Sequence, residues 1–312
     1  MLDDFLNLIK KYEKIIIFRH HIGDGDALGS QWALYYYLKE KYSDKEVYAV
    51  GDDTAGYENI FSKPDTLEDS QFENALAIVL DTANVDRISD QRVKNCEKVV
   101  KIDHHIKVDN YGDLKIVFPK VSSTAEILAN VLRVFENNEP LSKKVANCLY
   151  TGIISDTQQF SVSGVNEKTF KTAAYLCESE IDVAKLSRKL NEIDQDAYKF
   201  KMSISSRIKI EDRLAYVVIC NKDLKQFNIS HSQGKRNVNI MKNVEGVDIW
   251  VLFYEQKDQE GVFNASIRAN EISINEVAQK YGGGGHSFAS GVKNLDKEKM
   301  NALIKDLKAK IL

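Results

Sequence analysis

The 312-residue sequence is poor in three features, and each shortage excludes a class of protein. No run comes near the roughly 18 consecutive apolar residues needed to cross a bilayer. The first apolar run, Ile15 to Phe18, is also too short for a signal core. It follows an acidic Met1-Leu2-Asp3-Asp4 where a signal peptide carries basic residues. A soluble, cytoplasmic protein with no membrane partner is expected. No charge sign dominates: 43 Lys and Arg against 46 Asp and Glu leave a formal charge of -3, which gives long double-stranded nucleic acid no basic field to grip. A short anionic ligand needs only a local patch. Cysteine is sparse: Cys96, Cys148, Cys177 and Cys220 include no C-x-x-C pair. They read as free buried thiols of a reducing compartment, not a disulfide framework or a zinc knuckle.

A hydrophobic fraction of 43% supplies real cores and excludes a disordered chain. At roughly 100–200 residues per domain, the length suits two domains. In the first half, β-branched runs (Lys14 to Phe18, Val47 to Val50, Leu76 to Leu80, Val99 to Ile102) alternate with helical patterns such as Leu28 to Lys41. Continuous apolar runs of this length are strands buried on both faces of a mostly parallel sheet. Helices at Ser123 to Phe135, Lys143 to Ile154, Glu167 to Cys177 and Val183 to Leu190 close this domain. The fold class is therefore α/β, a mostly parallel sheet with helices on both faces over 1–190. A linker or connecting helix over 191–206 leads to a smaller mixed α/β domain over 207–312. There, Leu214 to Cys220, Val247 to Tyr254 and Gly261 to Arg268 read as strands, Ile274 to Tyr281 and Asp296 to Leu312 as helices.

The acids and imidazoles fall where strands end. The first strand runs into His20-His21-Ile22-Gly23-Asp24-Gly25-Asp26, a later one ends at Asp81, and another at Asp103-His104-His105. Open parallel sheets bind ligands beyond the carboxyl ends of their strands, so three strands deliver these groups to one crevice. Crowded carboxylates repel and partly reprotonate unless a cation offsets them. His20, Asp24, Asp26, Asp81, His104 and Asp156 supply four carboxylates and two imidazoles, which balances two divalent ions. Imidazole mixed with carboxylate suits manganese or another mid-row ion better than calcium. Paired ions roughly 3.5–4 Å apart are a device for hydrolysing phosphate esters. Gly23 and Gly25 are expected to let the backbone fold these ligands inward. Each piece alone has a plainer reading: Asp81 as a turn residue, Asp156 as a helix cap, tandem histidines as a solvated loop.

Taken together, His20-x-x-x-Asp24-x-Asp26, Asp81, Asp103-His104-His105 and Asp156 resemble the four motifs of the DHH phosphoesterase superfamily. The surrounding Ala27-Leu28-Gly29-Ser30, Ser122-Ser123-Thr124-Ala125-Glu126 and Thr151-Gly152-Ile153 match as well. The resemblance implies that His20, Asp24 and Asp81 hold one metal. It gives Asp26, Asp81, His104 and Asp156 to the second, with Asp81 bridging. It implies a catalytic His105 that faces the substrate, as phosphate contact or proton donor. Gly23 stands where relatives usually carry proline, and Phe18 where a histidine is common; neither is a ligand position.

The second domain carries Gly282-Gly283-Gly284-Gly285-His286, which ends at Gly291. Consecutive glycines expose backbone N–H groups to a phosphate; a flexible linker is the plainer reading, disfavoured by the run's place inside a domain. The run resembles the glycine-rich substrate loop of the DHH-associated C-terminal domain, which implies substrate contacts from Gly283, Gly284, Gly285 and His286. Arg268 matches that domain's strand-borne arginine, and arginine suits bidentate phosphate contact. The resemblance implies nucleotide binding across an interdomain cleft that closes during turnover. Superfamily members of this size and layout are bifunctional oligoribonucleases and 3′-phosphoadenosine-5′-phosphate (pAp) phosphatases. The expected substrates and partners are thus short RNA oligonucleotides, pApA and pAp, with a homodimer admitted. Two alternatives remain open. A family II inorganic pyrophosphatase shares the first-domain motifs but not the glycine run. A non-catalytic nucleotide-binding module leaves six ligand candidates unexplained, and Gly23-x-Gly25-x-x-x-Gly29 misses the dinucleotide fingerprint by one residue.

Overall fold

The first strand, β1 (Lys14–Phe18), follows a short amphipathic helix α1 (Leu2–Lys11) and leads into α2 (Gly25–Lys41). Next come β2 (Glu46–Ala49), β3 (Leu76–Leu80), β4 (Lys98–Asp103) and β5 (Leu114–Val117), then α3 (Thr124–Phe135), α4 (Lys143–Asp156), α5 (Glu167–Cys177) and α6 (Val183–Asn191). The computed structural model describes residues 1–312 except Asp53, Ala55, Lys107, Val108, Ser163 and Leu312. Its chain divides into two compact units, Met1–Glu192 and Ile193–Leu312. Among the described residues no helix is long and apolar enough to cross a membrane.

In the first unit the five strands pair in parallel in the order β2-β1-β3-β4-β5. Successive side chains of a strand face opposite ways. Ile15 and Ile17 therefore enter a core shared with Phe5, Leu28, Leu128 and Leu149, whereas Ile16 and Phe18 enter another with Phe72, Ala77 and Val79. The α/β class with a parallel sheet and helical segments on both faces holds, with the α-helices gathered on one face. Helices α1 to α6 all pack on the first core; 3₁₀ turns at Asp69–Phe72, Val85–Arg87 and Gln91–Asn95 cover the second face. The segment between β2 and β3 is rich in Gly, Asp, Asn and Ser, which favour turns over helices. Parallel registry brings the exits of β1, β3 and β4 to one edge: Phe18 pairs with Val79, and Leu80 with Ile102.

The second unit begins with α7 (Gln195–Ser205), in the segment read as a connector. Its exterior is charged, but Phe200 and Ile204 are buried in the unit's core. After it come β6 (Lys209–Glu211), β7 (Leu214–Ile219), α8 (Asn221–Gln226), α9 (His231–Lys235), β8 (Ile249–Glu255) and β9 (Phe263–Ala269). The unit closes with α10 (Asn275–Lys280), β10 (Gly284–His286), β11 (Ala289–Leu295) and α11 (Lys297–Lys308). The expected terminal helix reached Leu312, which lies outside the described residues. The mixed sheet runs β10-β11-β9-β8-β7-β6, parallel only at β7–β8. One face packs Ala265, Ile267 and Leu303; the other buries Trp250 and Leu252 under Phe200, Ile204 and Met241. All four cysteines are free, but only Cys148 is buried, and Cys177 is exposed. Cys177 is the last residue of α5, where the helix turns its face to solvent.

Candidate metal centre and phosphate-binding face

The loop leaving β1 is fixed from beneath by a fully buried guanidinium. Arg19 donates to Gln31 Oε1 at 3.1 Å, to the His20 carbonyl at 3.0 Å and to Asp52 Oδ1 at 2.6 Å. Asp52 Oδ2 accepts the Ile22 N–H at 2.5 Å and so holds a β-branched residue at φ 55°, an uncommon conformation that needs such support. The glycines act differently from the expectation. Neither Gly23 nor Gly25 is left-handed; both supply space. A Cβ on Gly23 would lie 2.7 Å from Arg19 Nη1, and one on Gly25 2.3 Å from Ser155 Oγ. Phe18 packs on Phe72 in the core.

Small residues also let three helices converge. A Cβ on Gly29 of α2 would sit 2.6 Å from the Cys148 carbonyl of α4. One on Gly152 would meet Ala125 Cβ of α3 at 2.6 Å and Asp26 Oδ1 at 3.2 Å. Asp24 caps α2, its Oδ1 accepting the N–H groups of Asp26 and Ala27, both at 3.0 Å. The buried Asp26 carboxylate takes Thr124 N–H at 2.7 Å and Ala125 N–H at 2.8 Å, at the positive end of α3. Asp156 is the last residue of α4.

All six expected ligand residues meet at the strand ends. His20 Nε2 lies 3.4 Å from Asp81 Oδ2 and 3.7 Å from Asp24 Oδ2. His104 Nε2 lies 3.5 Å from Asp81 Oδ1, 3.4 Å from Asp156 Oδ2 and 4.0 Å from Asp26 Oδ2. Donors bonded at about 2.1 Å to one ion would be roughly 3.0–3.4 Å apart, so these spacings are close to those of a coordination shell. Both imidazoles are turned for this role. Nδ1 of His20 faces the His21 carbonyl at 3.0 Å, and Nδ1 of His104 the Val121 carbonyl at 3.3 Å. Such a partner fixes the tautomer that leaves Nε2 free to ligate. Asp81, at φ 54° and buried, turns one oxygen to each imidazole.

The electrostatics call for a cation. Burial, then the charges of Asp81, Asp156 and Asp24, push the Asp26 carboxyl well above its usual range. Burial and the same acidic surroundings lift Asp156 to about 6, against the pull of His104. Burial would lower the His20 imidazole, but Asp24 and Asp81 outweigh it and raise it to about 10. The donor set of imidazoles and carboxylates fits a mid-row divalent cation.

His105 differs from its neighbour. Its Nδ1 is 2.8 Å from Asp103 Oδ1, with Asp81 Oδ1 further off at 3.6 Å. Burial opposes protonation of His105, but the Asp103 carboxylate prevails and raises its pKa. Asp103 is fully buried beside Lys101, at 3.2 Å. Sequence reasoning quoted Asp103 as part of a motif without giving it a role. It also missed Thr124, whose hydroxyl donates to Asp81 Oδ1 at 3.0 Å. The signal for Thr124 was its place just after the Ser123 helix cap, where backbone N–H groups are free.

In the second unit, the glycine run is partly strand. Gly284, Gly285 and His286 form β10 and pair with Gly291, Ser290 and Ala289. The N–H groups of Gly282 and Gly283 are spent on the Gln279 and Ala278 carbonyls that end α10. Registry puts Arg268, Ala289 and His286 in one cross-strand row on one face, beside Ser266, Gly291 and Gly284. These small residues leave the half-buried Arg268 uncovered. Its Nη1 donates to the Ile267 carbonyl at 2.9 Å, and among the described residues no carboxylate pairs with it. Burial pushes its pKa down, so an anion there would relieve an uncompensated charge.

Comparison with known proteins agrees with this geometry. The DHH family N-terminal domain matches residues 14–153, and the DHHA1 domain residues 211–312. A Streptococcus mutans protein named "probable bifunctional oligoribonuclease and PAP phosphatase NrnA" is 34% identical over 301 residues, 96% of each chain. The Bacillus subtilis bifunctional oligoribonuclease and PAP phosphatase NrnA is 34% identical over 309 residues, 98% of this chain and 97% of its own. The crystal structure of an exopolyphosphatase-related protein from Bacteroides fragilis shares the fold, with TM-score 0.89 and 23% identity over 99% of this chain and 97% of its own. The chain belongs to the DHH family, with an N-terminal DHH domain joined to a DHHA1 domain, and groups with the NrnA proteins.

Proposed function

We propose that this protein is a divalent-metal-dependent phosphoesterase that hydrolyses short oligoribonucleotides, pApA among them, to mononucleotides and converts pAp to AMP. The observation that carries the reading is Asp81, with one carboxylate oxygen toward His20 and the other toward His104. A residue so placed suits two ions. His20, Asp24 and Asp81 would hold one; Asp26, Asp81, His104 and Asp156 the other. Two manganese ions bound there would supply a nucleophile at neutral pH and neutralise charge on the phosphoryl oxygens.

The chain's own groups have distinct tasks in this reading. Arg19 and Asp52 hold the loop that presents His20 and Asp24. Thr124 and the N-terminus of α3 fix the Asp81 and Asp26 carboxylates. Asp103 orients His105 through Nδ1 and favours its protonated form, leaving Nε2 to donate a proton to the leaving oxygen. Arg268, His286 and Gly283 to Gly285 are proposed to grip nucleotide phosphate. The test is release of mononucleotides from a 5′-labelled RNA dimer with and without Mn2+, beside pAp and pyrophosphate. Mn2+-dependent cleavage of dimer and pAp is expected; turnover of pyrophosphate alone, or of nothing, would refute the proposal.

A further inference from the structure

A cavity of about 620 Å³ in the first unit lies beside the candidate metal centre, outside the four motifs. Its walls are Val117, Phe118, Pro119 and Val121, with Glu126 and Lys168 among its polar groups. It adjoins the centre through two contacts. The Val121 carbonyl faces His104 Nδ1 at 3.3 Å, and Glu126 directly follows Ala125, whose N–H holds Asp26. The volume lies within the usual range of small-molecule sites, roughly 300–1,000 Å³.

Two side chains of the lining offer complementary surfaces to a ligand. Phe118 is 43% exposed on the wall, an aromatic surface with no ring partner among the described residues. Glu126 is the reverse, a carboxylate only 3% exposed. Its Oε2 accepts the Ser122 N–H at 3.4 Å and the Ser122 hydroxyl at 2.5 Å, which serves the start of α3. Its Oε1 has no hydrogen-bond partner among the described residues. Glu126 lines the cavity, and Oε1 is open there to a donor from water or a ligand. Lys168, exposed and without an acidic partner among the described residues, adds positive charge at the rim.

We propose that this cavity is a nucleobase subsite, in which Phe118 stacks on the base and Glu126 Oε1 accepts a hydrogen bond from its edge. The inference rests on the phosphoesterase reading only for the source of the base. A planar ring with a polar edge is what an apolar wall beside a carboxylate acceptor selects. A carboxylate also discriminates. Guanine offers N1–H and N2–H side by side, and adenine and cytosine offer an exocyclic amine. The single edge N–H of uracil is flanked by two carbonyl oxygens that a carboxylate repels. Guanine is thus favoured and uracil disfavoured.

The experiment measures calorimetric binding of GMP, AMP, CMP and UMP to the full chain with Mn2+, and kcat/KM for the four homodinucleotides. It compares the wild type with Glu126→Gln and Phe118→Ala. Glutamine keeps an acceptor for Ser122 and can both donate to and accept from uracil. In the wild type, UMP binding and pUpU turnover should be at least about tenfold weaker than for the guanine compounds. Glu126→Gln should shrink that gap to about threefold or less, whereas Phe118→Ala should weaken all four bases by about 5–50-fold without changing their order. A purely capping role for Glu126 would lower every base alike, and an unchanged guanine-to-uracil ratio in Glu126→Gln would overturn the proposal. If no dinucleotide is cleaved, the hydrolase reading falls, and the mononucleotide affinities still decide the subsite.

Discussion

Replacing Asp156 with asparagine should make the metal-free protein more stable and the metal-loaded protein less so. Burial and acidic neighbours raise this carboxyl from 3.8 to about 6. At 1.36 kcal/mol per tenfold change in proton affinity, its ionisation at pH 7.5 costs the fold ~3 kcal/mol. The side chain is 32% exposed, and solvent screening reduces the figure to about 1–2 kcal/mol. For a domain of this size each kcal/mol moves Tm by about 2–4 °C, so Asp156→Asn should melt ~2–8 °C higher in chelator. The sign follows from linkage. An acid with a raised folded pKa destabilises the fold above that pKa, and the penalty fades as pH falls toward the unfolded value. The advantage of the variant should therefore be full at pH 7.5, reduced to roughly a third by pH 4.5 and nearly absent by about pH 3. Saturating Mn2+ should reverse the order, because the wild type gains ~2.7 kcal/mol at a hundredfold excess over Kd and the variant loses a ligand. Thermal scans of both proteins in chelator and in Mn2+ decide the matter. Equal melting in chelator, or an equal rise with Mn2+, would refute the argument that the acids are poised for a cation.

Three other perturbations probe different parts of the assembly. Asp81→Ala should cut hydrolysis at least about a thousandfold and lower Mn2+ stoichiometry by calorimetry; a variant that keeps both would remove Asp81 from the centre. Arg268→Ala should raise KM for dinucleotides by about 10–100-fold with little change in kcat, as expected for a group that binds phosphate equally before and during reaction; a pure kcat effect would contradict this. Gly152→Ala should gain up to ~1 kcal/mol of helix propensity but lose more to overpacking against Ala125 and Asp26, for a net destabilisation of about 1–2 kcal/mol. Chemical denaturation in chelator reads it, and a neutral or stabilising result would mean that α3 and α4 can separate freely.

Much of the fold was legible where burial imposes a simple code. Strands such as Leu76 to Leu80, buried at every position, spell an unbroken apolar run, and the periodic helices α2 to α6 spell theirs. The misses share a cause: weak local pattern overruled by tertiary context. β5 is a four-residue edge strand with only Ile116 fully buried. β11 carries Ser290 and Gly291, poor strand formers held by pairing with β9, and Lys293 and Asn294, which lie where its register with β9 shifts. The charged surface of α7 concealed the two residues, Phe200 and Ile204, that tie it to a core. In the glycine run, composition suggested an open loop, whereas registry with Ala289 to Gly291 recruits its second half into the sheet.

The candidate centre was legible for another reason: the structural and chemical readings of its acids coincide in one residue instead of competing. Asp24 spends Oδ1 on capping α2 and turns Oδ2 toward His20. Asp26 spends both oxygens on the start of α3 and still faces His104. These acids sit at helix N-termini, where the backbone favours a negative charge. Asp156 ends a helix, where the dipole opposes one, and among the described residues no backbone N–H donates to its carboxylate, which faces His104, Asp81 and Asp24. Helix formation alone would not select an acid at that position. Of the four carboxylates, Asp156 is therefore the one whose presence argues most directly for a positive ion, and the one whose replacement most cleanly separates the cost of the empty cluster from the gain of filling it.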